Sequence, residues 1–151
     1  MLTTMGLQVA VIGSGAEWEA AAEEIGRLLA EAGCAVVTGG LDEVMAAAHR
    51  GAKSAGGATI AILPGEGRSA ANPWADHVVV TGIGHARNLA VAASGDAVIA
   101  VGGSYGTLAE MAFALRLGRP VVALEGAPTV DGSHRAATPA EAVEVALGHL
   151  G

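Results

Sequence analysis

The chain has 151 residues, 52% of them hydrophobic and only 3% aromatic, so it is long enough for a substantial core built from Ala, Val, Leu and Ile. A net charge of −7, with eight scattered basic residues of which Lys53 is the one lysine, excludes the basic stripe that nucleic-acid phosphates require. Cys34 is the single cysteine, which excludes an intrachain disulfide framework. No apolar run reaches the roughly 18 residues of a spanning helix, and residues 1–6 lack the basic region and apolar core of a signal peptide. The expectation is a cytoplasmic protein, away from membranes and nucleic acid, with residues 1–151 forming one domain.

In chain order, residues 7–12 predict a strand with Gly13-Ser14-Gly15 as its exit turn. Residues 17–32 predict a helix, with Ala20, Ile25, Leu28 and Leu29 near helical spacing and Gly33 as its stop. Residues 35–38 form the second strand, ending in Gly39-Gly40, and a helix carrying Val44, Met45, Ala48 and Ala52 begins near Asp42. Residues 59–63 are the third strand, and residues 64–76 a polar loop long enough to serve binding. Residues 77–80 form a fourth strand, and a helix over residues 85–93 follows Gly82 and Gly84. The apolar run that begins at Asp96, with Val98, Ile99 and Val101, reads as a strand buried on both faces. A helix to Leu117 with Gly118 as its cap comes next, then a strand at residues 121–124 and a loop over residues 125–137. Thr138-Pro139-Ala140-Glu141 is a capping box with proline at the first helical position, opening a terminal helix. This rhythm predicts an α/β three-layer sandwich, an open, mostly parallel sheet with helices on both faces.

Ligands of such sheets sit outside the carboxyl ends of the strands. Here those exits are glycine-rich: Gly13/Gly15, Gly39/Gly40, Gly65/Gly67, Gly82/Gly84 and Gly102/Gly103/Gly106. Residues 96–111 combine a strand, the turn Gly102-Gly103-Ser104-Tyr105-Gly106 and a helix opening with Thr107, the geometry of a phosphate cradle. Glu110 adds a carboxylate about one turn into that helix. Arg87 falls in the first turn of its own helix, where the dipole disfavours a cation. Facing the same cleft, the two suit an N-glycosidic bond: the carboxylate stabilises a developing cation on the sugar, and the guanidinium aids the leaving base or fixes the carboxylate.

Other chemistries fit less well. Trp18 replaces the third glycine of a dinucleotide fingerprint, and no acidic residue ends the second strand, against a nicotinamide dehydrogenase. No P-loop signature occurs, Lys53 lies deep in a helix, and the five histidines lack metal-ligand spacing, so no metal site is expected. Residues 102–106 formally match a nucleophile elbow, but Asp131 and His134 would both have to come from one loop.

These residues resemble the Lonely-guy superfamily of Rossmann-like proteins, some of whose relatives are labelled lysine decarboxylases. Gly103-Ser104-Tyr105-Gly106-Thr107-Leu108-Ala109-Glu110 is similar to that family's P-G-G-x-G-T-x-x-E loop, and Ala86-Arg87-Asn88 to its R-[KN] segment. Gly39-Gly40 with Val44-Met45 is similar to its G-G-x-x-G-[VL]-M turn, although Glu43 stands where the family has glycine. Gly102 and Ser104 replace its proline and second glycine, and Ala109 stands where the enzymes often carry an acid. The resemblance implies a homodimer or higher homo-oligomer that hydrolyses nucleoside 5′-monophosphates (a phosphoribohydrolase) without any required cofactor. It makes Arg87 and Glu110 the catalytic pair. Gly13, Ser14, Gly39, Gly40, Gly82, Asn88 and the turn Gly102, Gly103, Ser104, Tyr105, Gly106 and Thr107 are then expected to hold the ligand. The short form with T-G-x-G-x-A-R-N is also similar to molybdenum cofactor carrier proteins, which implies the alternative of a non-catalytic binder with that cofactor as its ligand.

Overall fold

The strands are β1 (Gln8–Ser14), β2 (Ala35–Thr38), β3 (Thr59–Leu63), β4 (His77–Val80), β5 (Ala97–Gly102), β6 (Val121–Leu124) and β7 (His134–Ala136). The helices are α1 (Glu19–Glu31), α2 (Val44–Ser54), α3 (Arg87–Ser94), α4 (Tyr105–Arg116) and α5 (Pro139–Gly148). The structure, a computed structural model, describes residues 6–151; the reading of residues 1–6 as no leader falls almost wholly outside them. No helix among the described residues is long and apolar enough to cross a membrane.

The seven strands pair in the order β4-β3-β2-β1-β5-β6-β7, every pair parallel. Side-chain alternation sorts the central strands into two layers. Val9, Val11, Ala97, Ile99 and Val101 face one core with Ile25, Leu29, Val44, Ala48 and Val143 of α1, α2 and α5. Ala10, Ile12, Val98 and Ala100 face the other, with Val91, Ala92, Met111 and Ala114 of α3 and α4. Cys34 is buried in the first core, where burial pushes its thiol pKa up. At α5, Thr138 Oγ1 accepts the Glu141 N–H at 3.1 Å and the Glu141 carboxylate accepts the Ala137 N–H at 3.0 Å, so the cap forms where its residues predict it.

Several element boundaries differ from the sequence expectation; α3, expected from residue 85, opens at Arg87 behind a 3-10 turn at Gly84–Ala86. β1 continues through the glycine turn to Ser14, because Gly13 and Ser14 still pair with Val101 and Gly102 of β5. A 3-10 turn at Ala16–Trp18 precedes α1, and α4 opens at Tyr105, inside the glycine-rich turn. β7 lies within the expected loop; it is short and mostly exposed, so no apolar pattern marks it, and pairing to β6, burial of Ala136 in the first core and packing of His134 on His149 hold it in place.

The chain runs outward from β1 to β4 and then returns to the centre to form β5 beside β1. That reversal is the topological switch point, where the two neighbouring strand exits diverge to opposite sides and open a crevice. Ser14 and Gly102 are register partners, so both exits end level at the crevice floor. Arg87 gets there by a longer route. Its strand β4 is at the sheet edge, but α3 returns across β3, β2 and β1 to pack on α4.

Candidate functional site

A cavity of about 220 Å³ opens at this switch point. Of the predicted residues, Gly13, Ser14, Gly39, Arg87, Asn88, Ser104, Gly106, Thr107 and Glu110 line it, together with Val11, Ile12, Met45 and His85. Gly40, Gly82, Gly102, Gly103 and Tyr105 do not. Gly40 packs toward Ala61 and Leu63 of β3, Gly82 is exposed in its turn, and Tyr105 is 87% exposed. Gly102 is buried beneath the indole of Trp18, which is wedged between Gly102 and Gly126; a Cβ on either glycine would stand 2.3 or 2.2 Å from the ring. Gly103 supports the wall from behind, with space for no Cβ because Thr107 Oγ1 would be 2.0 Å away. Asp131 and His134 do not line the cavity, so no triad forms with Ser104.

Arg87 and Glu110 are both buried, at 9% and 7% exposure, and face the same cavity without forming an ion pair. Arg87 Nη1 donates to Asn88 Oδ1 and Nη2 donates to the Gly39 carbonyl at 3.4 Å. Arg87 Nε is buried and has no partner. A buried guanidinium without a carboxylate partner is costly unless an anion completes it. Burial lowers the Arg87 pKa from its ordinary value, with Glu110 opposing the shift. Burial pushes the Glu110 carboxyl up to about 7, with Arg87 opposing. Glu110 therefore exchanges its proton near neutrality. Ser104 at the N-cap of α4 makes no side-chain cap to the helix, which leaves first-turn N–H groups available to an anion.

A buried polar cluster lies behind the β2 exit. His49, Thr38 and Asn72 are at 0%, 0% and 5% exposure. Asn72 Nδ2 lies 3.2 Å from His49 Nδ1, and His49 Nε2 lies 3.2 Å from Thr38 Oγ1, which also accepts the Gly40 N–H at 2.9 Å. Asn72 N–H donates to the Gly40 carbonyl at 2.8 Å. The cluster thereby ties the glycine pair that positions Arg87 to the polar loop before β4. Burial pushes the His49 pKa down to about 4, so the ring is neutral at physiological pH. Sequence reading missed this cluster, because its three members lie in separate segments and share no local pattern.

The order of the strands, the parallel pairing and the crevice at the switch point make this a Rossmann-like α/β protein. The chain belongs to the SLOG cluster4 family, whose sequence profile matches residues 6–147. It is 42% identical over 144 residues to an uncharacterized protein of Archaeoglobus fulgidus, covering 93% of this chain and 95% of that one. Among solved structures it is similar to the molybdenum cofactor binding protein of the phototrophic bacterium Rippkaea orientalis, at TM-score 0.89 and 30% identity over 97% of this chain and 98% of that one. It is likewise similar to the molybdenum cofactor carrier protein of Chlamydomonas reinhardtii, at TM-score 0.86 and 34% identity over 96% and 98% of the two chains. The resemblance to the Lonely-guy superfamily in its short, carrier-like form is thus borne out.

Proposed function

We propose that the chain binds a phosphorylated heterocyclic ligand of the molybdenum-cofactor kind and carries it without turning it over. The observation that carries this reading is the buried Arg87 guanidinium in the wall of the switch-point cavity, which forms no ion pair with a carboxylate. A phosphate gives that guanidinium an anionic partner, and the open first turn of α4 and the Thr107 hydroxyl offer further donors to the same group. The neighbours named for molybdenum cofactor binding support it over nearly the full chain. At about 220 Å³ the cavity suits a phosphate and the group next to it, and a fused-ring ligand is larger, so the ring system has to lie toward the rim. Gly13, Ser14, Gly39, Asn88, Ser104 and Gly106 then shape the pocket with backbone and small side chains.

A second reading, N-glycosidic hydrolysis of a nucleoside 5′-monophosphate, is favoured by one observation. Glu110 shares the cavity with Arg87 and exchanges its proton near neutrality, as a general acid or base does. Both readings are tested together by titrating the protein with a phosphorylated pterin, AMP and ribose 5-phosphate while assaying base release from AMP. The carrier reading expects saturable binding of the phosphopterin, at least ten-fold weaker in Arg87→Ala, and no base release. Base release by the wild type that Glu110→Gln abolishes, with AMP affinity kept, transfers the assignment to the hydrolase. Self-association through the outer faces of α3 and α4 belongs to the same proposal. Leu89, Leu108, Phe113 and Leu117 are exposed there at 44%, 39%, 37% and 41%.

A further inference from the structure

Glu43 is the one residue other than glycine with a positive φ among the described residues, at φ 56° and ψ −121°. A side chain persists in that region only where its surroundings hold it. Two contacts do so. Its carbonyl accepts the Ala47 N–H at 2.9 Å as α2 begins, and its Oε1 accepts the Gly15 N–H at 3.0 Å from the loop leaving β1. Gly15 directly follows the cavity-lining Ser14, and Glu43 lies two residues before the cavity-lining Met45. The clasp therefore runs along the rim on the α1–α2 side of the sheet. Glu17 adds a second carboxylate there, with Oε1 3.0 Å from where a Cβ on Gly15 would stand. Arg87, Thr107 and Glu110 all enter from the opposite, α3–α4 side. The crevice thus has its anion-binding donors, with Glu110 among them, on one wall, and the Glu43 and Glu17 carboxylates at the rim of the other.

We infer that Glu43 sets the charge selectivity of the site, admitting a ligand with one phosphate and turning away a diphosphate. This deepens the phosphate-binding reading and rests on it. A single phosphate occupies the donors of the α3–α4 wall; a second one spanning the crevice meets the Glu43 carboxylate, which already fills the Gly15 N–H and repels it. The test is calorimetric titration of AMP against ADP, and of inorganic phosphate against pyrophosphate, at constant ionic strength. It compares the wild type with Glu43→Gln, which keeps an acceptor for the Gly15 N–H and removes the charge, and with Glu43→Gly, which also releases the backbone. The wild type is expected to favour the monophosphate of each pair at least ten-fold. In Glu43→Gln that ratio falls below three-fold through tighter diphosphate binding, while monophosphate affinity moves by less than three-fold. An unchanged ratio in both variants overturns the inference and leaves the phosphate reading standing. Equal weakening of both ligands also overturns it, because the clasp is then structural only. Absence of binding to any of the four probes, in wild type and variants alike, overturns the phosphate reading and the inference with it.

Discussion

The site depends on residues that never touch the cavity. Gly103 has φ +103°, and a Cβ there would stand 2.0 Å from Thr107 Oγ1, so the turn keeps Thr107 at the wall only because position 103 carries no side chain. Gly103→Ala is therefore expected to weaken binding of a phosphorylated ligand at least ten-fold and to cost on the order of 1–3 kcal/mol of stability. Gly82→Ala is the matched control. It also sits at positive φ, but the nearest atom to its Cβ is the flexible Glu66 Cγ at 3.7 Å, so it should lose stability and leave affinity alone. Calorimetry with denaturant melts separates the two, and equal affinity losses would reject the argument. Arg87 and Glu110 were legible in the sequence because strand–turn–helix segments put chemically unusual residues at helix starts. Glu43 was legible only as a residue out of place; its backbone strain and its bond to Gly15 arise from packing between segments 28 positions apart.

At the scale of the element, α4 inverts the usual surface helix. Its inward face, at helical spacing, holds Thr107, Glu110, Met111 and Ala114, two of them polar site groups. Its outward face holds Leu108 and Phe113, Leu117 follows at its C-cap, and the adjoining α3 exposes Leu89. A surface helix normally presents its polar side to water. A dimer covering this face is the expected state at micromolar concentration, and Leu108→Lys with Phe113→Lys should give a monomer that still melts cooperatively. Light scattering decides it, and a wild-type monomer would remove the dimer from the proposal. The alternation of strand and helix was readable because β5 is apolar on both faces and each helix has a buried stripe. β7 was not, since three residues at a sheet edge have no period to detect. Nor could local pattern show that β4, which precedes Arg87, lies at the edge; the crossover of α3 carries the arginine back to the centre.

For the whole molecule, two buried groups pull stability in opposite directions as pH changes. Burial raises Glu110 from 4.5 to about 7, so the folded state holds that proton more tightly than the unfolded chain does. Its contribution is complete below pH 4.5 and is lost as pH rises toward 7. Burial lowers His49 from 6.5 to about 4, so the unfolded chain takes up that proton first. Its contribution is complete above pH 6.5 and is lost as pH falls toward 4. Over the shared window the slopes offset one another, and the melting temperature of the wild type should vary little. Glu110→Gln should leave a Tm that climbs with pH, and His49→Gln one that declines; parallel profiles for all three proteins, read by scanning calorimetry, would contradict both assignments. The wedge of Trp18 between Gly102 and Gly126 has a consequence of another sort. Its indole spans the exits of β5 and β6 and lies beside the β1 turn, while the chain's other tryptophan, Trp74, stacks on the Arg50 guanidinium with 5.1 Å between the ring centroid and Cζ. With Trp74 replaced by phenylalanine, Trp18 becomes the lone tryptophan, packed on the exit glycines directly behind the crevice, and the protein supplies its own optical reporter of whatever enters.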